Sequence, residues 1–265
     1  MSVFSILQYI SVPNRDDGSH FTDTQRIEKI TSLLWNTRYR RCNPDGLFLL
    51  FSVKPIEEMY NPVLISSHID CVPEMTRLFA QDYNESLLSG TFDNSITNAA
   101  VLHLMVNGQL NDDVIVAFTG DEEQDSTGAV QTILYLTERS IRPRATIILD
   151  VTDMGWDSGS LFTLENNFWG EELGRKVVDI VQKDYDSWKF VPSNPYDIPK
   201  YIDSHYVIDS EAEPDESWDY DEFGYECFSL CLPTFGPMHS NRGILARKDG
   251  LKEYVEVLKK IANNI

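Results

Sequence analysis

Five short stretches of this 265-residue chain place metal-binding side chains directly after apolar runs. The first is His68-Ile69-Asp70, which follows Val63-Leu64-Ile65-Ser66-Ser67. Residues two apart on an extended chain face the same side. His68 can therefore bind a metal while Asp70 accepts a hydrogen bond from the other ring nitrogen, although a purely structural pair would read the same. The second is Gly90-Thr91-Phe92-Asp93-Asn94-Ser95, a turn opening a helix, where a lone aspartate most often serves as a cap. The third, Gly120-Asp121-Glu122-Glu123, follows the run ending at Phe118. Adjacent glutamates repel, so burying both demands cations or a shared proton, and exposed they form only an acidic turn. Neighbouring residues also point different ways, so one carboxylate can bind metal while the other holds a water. The fourth is Asp150, closing Ile147-Ile148-Leu149, and the fifth is His239 in Pro237-Met238-His239-Ser240.

Each stretch is weak alone, but the ordered set is specific. It offers two imidazoles and three carboxylates, a suitable shell for two divalent ions sharing a bridging carboxylate and a bridging water.

Such a set works only if the backbone gathers it. Short β-branched runs at 46–51, 62–67, 114–118 and 145–149 predict buried strands, and the apolar stretch 227–232 predicts another. Between them, helical spacing predicts helices over Thr22–Trp35 (capped by Thr22 or Asp23), Ile96–Val106, Thr127–Glu138, about Glu171–Lys183, and Asp249–Ile265. Alternating strands and helices, with continuous rather than half-buried strands, predict an α/β fold. The expected architecture is a three-layer αβα sandwich around a mixed, mostly parallel sheet. In such sheets ligands bind outside the carboxyl ends of the strands, where the five stretches fall. The segment from about Ser187 to Tyr225 differs: it is rich in Pro, Tyr, Trp and acid, and reads mainly as a surface excursion that could shape a pocket rim.

Composition narrows the function. There are 22 basic against 42 acidic residues, a net charge of −20, which repels phosphate backbones and argues against nucleic acid as a partner. It suits divalent metals and substrates with a free amine. No apolar run approaches the roughly 18 residues of a membrane span, and the first residues lack the basic flank and long apolar core of a signal peptide, so a cytoplasmic location is expected. The four cysteines (Cys42, Cys71, Cys227, Cys231) are too few for a disulfide framework in a chain this long, and buried reduced thiols are expected.

Leu64 to Asp70, Thr91-Phe92-Asp93-Asn94, Thr119 to Glu123 and Met238-His239-Ser240 make the chain resemble the co-catalytic zinc exopeptidase superfamily of aminopeptidases, carboxypeptidases and aminoacylases. The resemblance runs from the first helix to the last. It implies that Asp93 bridges two metal ions, zinc with cobalt or manganese as alternatives. His68 and Asp150 would complete one site, with Asp153 the alternative to Asp150, and Glu123 and His239 the other. It further implies that Asp70 orients His68 and that Glu122 is the general base. Only 22 residues separate Asp70 from Asp93 and 88 separate Asp150 from His239, which leaves no room for an inserted lid domain. One catalytic domain over residues 1–265 is therefore expected, of the lid-free aminopeptidase branch, acting on a peptide or small amide. One departure is that Thr97-Asn98 stands where relatives of this branch carry a glycine after the bridging aspartate. Tyr220 or Tyr225 could help an oxyanion, Arg242 could clamp a carboxylate, and the acidic excursion could hold an ammonium. An N-acyl amidohydrolase and a catalytically silent metal- or peptide-binding module are the competing readings. Homo-oligomerisation is compatible with the chain, but no exposed apolar edge marks it.

Overall fold

The computed structural model describes residues 1–12, 24–72, 74–75, 77–166, 172–185, 188–191, 205–209 and 212–265. In chain order the elements are α1 (Val3–Ile10), α2 (Thr24–Leu34), β1 (Arg40–Arg41), β2 (Phe48–Ser52), β3 (Val63–His68), β4 (Ala80–Asp82), β5 (Leu87–Gly90), α3 (Ser95–Val106), β6 (Val114–Thr119) and α4 (Thr127–Glu138). There follow β7 (Ala145–Thr152), β8 (Phe162–Glu165), α5 (Glu172–Val181), β9 (Trp188–Val191), β10 (Tyr206–Asp209), α6 (Glu216–Glu222), β11 (Cys227–Phe235), β12 (Ile244–Arg247) and α7 (Lys248–Asn264). The expected strands and helices are all present within a few residues, and the caps proposed at Thr22 or Asp23 lie outside the described residues. Among the described residues no helix is long and apolar enough to cross a membrane.

β6, β3, β7 and β11 form the parallel centre, with β2 antiparallel beside β6 and β1 outside it. β11 forks at its far edge. Residues 229–231 pair with β8, which leads on to β10 and β9, whereas Thr234 and Phe235 pair with β12, which leads to β5 and β4. The sheet is mixed and mostly parallel at its centre, as expected.

Period-two alternation builds the layers. On β3, Val63 and Ile65 join the large cluster under α1, α2, α3, α5 and α7, whereas Leu64 joins the cluster under α4 and Tyr220 of α6. On β6, Val114, Val116 and Phe118 face the first cluster, and Ile115 and Ala117 the second. A strand packed on both sides must be apolar at every position, which is why these runs show no polar alternation. α3 is buried continuously from Ser95 to Leu102 because it lies against the sheet with α1 and α7 packed on it.

The structure adds one element to the sequence reading and corrects another. The apolar start of the chain is a helix, α1, capped by Ser2, whose hydroxyl accepts the Ser5 amide N–H at 3.1 Å; it packs Ile6, Leu7 and Ile10 into the core. The acidic excursion is also more than surface. β9 and β10 extend the sheet, and α6 buries Glu216, Ser217 and Tyr220.

α4 approaches the turn that follows β6 through a glycine. The Gly128 N–H donates to the Gly120 carbonyl at 2.9 Å, and a Cβ at Gly128 would lie 2.4 Å from the Gly120 nitrogen and 2.5 Å from the Leu47 carbonyl oxygen. Backbone cannot step aside as a flexible side chain can. Gly128→Ala is expected to lower stability in urea unfolding by about 1–3 kcal/mol, the usual cost of overpacking. An unchanged unfolding midpoint would show that α4 can slide at no cost.

Candidate active site

The carboxyl ends of the parallel strands bring the five stretches into one place. His68 ends β3 and is 2% exposed. Asp93 sits in the Thr91–Asn94 connection from β5 to α3, is 5% exposed, and is joined to Asn94 by a cis peptide bond. Glu122 and Glu123 lie in the turn after β6. There Asp121 takes a left-handed φ of 60°, and its carbonyl accepts N–H groups from Gln124, Asp125 and Ser126. An aspartate tolerates that conformation better than most residues. Glu122 approaches His68 and Glu123 approaches His239, and both carboxylates stay within 4.8 Å of each other and of His68. Asp150 lies inside β7 rather than at its end, since the strand continues to Thr152. His239 follows β11 on an open loop, its side chain 53% exposed.

Asp93 is the centre of the arrangement. One carboxylate oxygen lies 3.1 Å from His68 Nε2, and the other accepts from His239 Nε2 at 3.2 Å. Around His68 Nε2 stand Asp150 at 3.7 Å and Glu122 at 3.9 Å, while His239 Nε2 is 3.3 Å from Glu123. Asp70 reaches both sides. Its Oδ1 is 3.4 Å from His68 Nδ1, longer than an ordinary hydrogen bond, and its Oδ2 accepts the Glu123 amide N–H at 3.2 Å.

Electrostatics set the character of the site. Burial opposes ionisation of Asp93, but the hydrogen bonds and charges of His239 and His68 outweigh it and hold the carboxyl well below the usual range. Burial, then the charges of Asp150, Glu216 and Glu123, push Glu122 up against the pull of His68. Burial and the neighbouring Asp93 raise Glu123, and burial raises Asp150. Burial would lower His68, yet Glu122, Asp150, Asp70 and Asp93 around it raise it.

The site opens into a cavity of about 580 Å³. Its walls include Asp93, Glu122, Glu123, Asp150 and His239 together with Asp153, Glu165, Asp209, Glu213 and Asp215. The acidic excursion thus forms part of the same wall. Asp153 lines the cavity, but the ligand-distance group containing His68 and Asp93 is completed by Asp150. Tyr220 and Tyr225 are not placed to help an oxyanion. Tyr220 is fully buried and donates to Ser66 Oγ at 3.1 Å, and the Tyr225 hydroxyl contacts Thr137 Oγ1 at 3.2 Å on the α4 side. Arg242 is exposed and stands outside the described cavity wall. All four cysteines are free thiols, and Cys231 lines the cavity.

Sequence reasoning missed Glu165. It ends the apolar run Phe162-Thr163-Leu164, the same signal that marked the other residues, and accepts from Thr163 Oγ1 at 2.5 Å. Burial pushes its carboxyl up to about 8. Glu216 was legible only as one acid among many. It lies 1% exposed beneath the site, accepts from Ser66 Oγ at 2.9 Å, and is pushed up to about 7 by burial.

The donors fit divalent cations. Ligand atoms of His68, Asp93 and Asp150, of His68, Glu122 and Glu123, and of Asp93, Glu123 and His239 each lie within 4.8 Å of one another. Among the described residues of the cavity wall there is no lysine or arginine to balance the carboxylates. Imidazole with carboxylate suits zinc, cobalt or manganese.

No protein-family profile and no curated protein sequence matches the chain. Solved structures do. The TET1 peptidase of Pyrococcus horikoshii aligns over 100% of both chains with a TM-score of 0.69 at 13% identity. Aminopeptidase APDkam598 of Desulfurococcus kamchatkensis covers 99% of this chain and 95% of its own, at 0.70 and 11%. A TET aminopeptidase from a marine-sediment thaumarchaeon covers 99% and 97%, at 0.73 and 9%. The chain shares its fold with these peptidases.

The buried carboxyls generate a pH prediction for the metal-free chain. Glu216 and Glu165 are raised from 4.5 to about 7 and about 8, so between pH 4.5 and 8 the folded state holds protons that the unfolded state has lost. Stability then falls as pH rises. The thermal midpoint of metal-free protein should decline from pH 5 to pH 8.5, and the decline should shrink in a Glu165→Gln, Glu216→Gln double variant. An equal decline in the double variant would assign it to other groups.

Proposed function

We propose that the chain is a metal-dependent aminopeptidase, one catalytic domain without an inserted lid, that removes N-terminal residues from peptides. The observation that carries this reading is Asp93, whose two oxygens face two imidazoles on opposite sides at 3.1 and 3.2 Å. A carboxylate so placed is suited to bridge a pair of cations. His68 and Asp150 would complete one site, Glu123 and His239 the other, with Asp70 holding His68 and the Glu123 backbone in place. When bound, such ions supply Lewis acidity for the scissile carbonyl and for the attacking water.

Glu122 carries the proton. Its carboxyl is half-buried near His68 and pushed upward by its surroundings, which makes it a stronger base than an exposed glutamate. It takes a proton from the attacking water and delivers it to the departing amine. The acidic wall of Asp209, Glu213 and Asp215 gives the cavity a negative lining that favours a substrate's free ammonium over an acylated or carboxylate-bearing end. Because Pyrococcus horikoshii TET1 can assemble into a tetrahedron or an octahedral shell, self-association belongs to the same reading.

Metal-free protein reloaded with zinc, cobalt or manganese should cleave aminoacyl amides and peptides but not their N-acetyl counterparts. Glu122→Gln should keep its metal and lose roughly 10²–10⁴-fold in kcat, the usual value of a positioned general base. Cleavage confined to acylated substrates would move the chain to the amidohydrolases. Metal binding without turnover on any substrate would make it a binding module.

A further inference from the structure

Two asparagines behind the site have no place in the chemistry above, yet they bond the carbonyl of His68 and that of Leu149, the residue before Asp150. Asn94 and Asn98 are each fully buried, at the start of α3. Asn98 Nδ2 donates to the His68 carbonyl at 2.7 Å and to the Asn94 carbonyl at 2.8 Å. Asn94 Nδ2 donates to the Leu149 carbonyl at 2.6 Å and to Ser67 Oγ at 3.2 Å. The Thr97 hydroxyl donates to Asn94 Oδ1, which orients that amide, and lies 3.3 Å from Ser67 Oγ.

These bonds share a pattern. Asn94 is bonded to Asp93 in the chain and reaches the carbonyl just before Asp150. Asn98 reaches the carbonyl of His68 itself. The ends of β3 and β7, and the connection from β5 to α3, therefore meet in two side-chain amides. Ordinary sheet pairing does not do this, because β5 lies on the far branch of the fork and shares no ladder with β3 or β7. A glycine at position 97 or 98 would offer neither the hydroxyl nor the amide. The amide donors are spent on these carbonyls even though Asn98 Oδ1 is left buried without a hydrogen-bond partner among the described residues, and an unpaired buried polar group is costly to keep.

We infer that Asn94 and Asn98 are positioning residues that set the spacing of His68, Asp93 and Asp150 before any ion arrives, and so fix the affinity of the His68 side of the centre for divalent metal. The inference rests on the metal-binding part of the proposed function. Polar groups one step removed from a ligand commonly contribute 10–100-fold to metal affinity, because they hold the ligand in its binding geometry.

The test is zinc affinity by competition with a chromophoric chelator, measured with thermal stability on the same metal-free full-length samples. Asn98→Ala is expected to weaken zinc binding 10–100-fold. Asn43→Ala is the matched comparison. Asn43 is also a buried asparagine bonded to backbone, at Asp45, Phe48 and Leu50, but it reaches no proposed ligand. It should lose stability with its zinc affinity intact. Thr97→Val, close in shape to the native side chain, should weaken binding in the same direction if Asn98→Ala does not fold. Unchanged affinity in a folded Asn98→Ala or Thr97→Val would overturn the inference and leave the proposed function standing. Equal weakening in Asn43→Ala would reduce the amides to general stabilisers and overturn it too. Failure of the wild-type chain to bind zinc, cobalt or manganese would overturn both.

Discussion

The structure depends on a concentration of like charge in one small volume. Asp93, Glu122, Glu123 and Asp150 converge where no lysine or arginine of the described cavity wall balances them. Left alone they would drive the strand ends apart or take up protons. The upward pull on Glu122, Glu123 and Asp150, against the downward pull on Asp93, records that tension. Only the carboxylate set between two imidazoles is at ease with its charge.

The fold exists to hold that tension. Parallel strands β6, β3 and β7 end at the same edge, and their apolar bodies are sealed on both faces by helices. A fully buried aliphatic side chain contributes roughly 1.5–3 kcal/mol. Many such residues per strand therefore offset a few strained polar ends. The left-handed turn at Asp121 works within this frame, since it brings two consecutive glutamates into the site together.

How much of this was legible in the sequence follows from what each signal encodes. The central strands were legible because burial on both faces demands unbroken runs of Val, Ile and Leu, as in 63–65 and 114–116. The metal-type residues stood out because His and Glu directly after such runs have no packing reason to be there. The excursion misled for the opposite reason. Composition reports the average of a segment, and Glu216 is buried by Ser66 and the helix above it, which lie 150 positions away in the chain for Ser66. Tyr220 and Tyr225 looked available because tyrosine has a polar end; in the fold those ends are bonded on the α4 side. Short strands such as β4 and β8 carry too few residues for a period to show.

The fork in β11 has a mechanical consequence. The last residues of that strand support β12 and β5, the branch that leads to Asp93; its middle supports β8 and β10, the branch that brings Glu165 and Asp209 to the cavity. The two branches share a spine but no ladder of their own. A change of length or charge in the second branch therefore reshapes the cavity wall without disturbing the strand pairing that carries Asp93. The lining of the cavity and the seat of its central carboxylate are mechanically separable along a single strand.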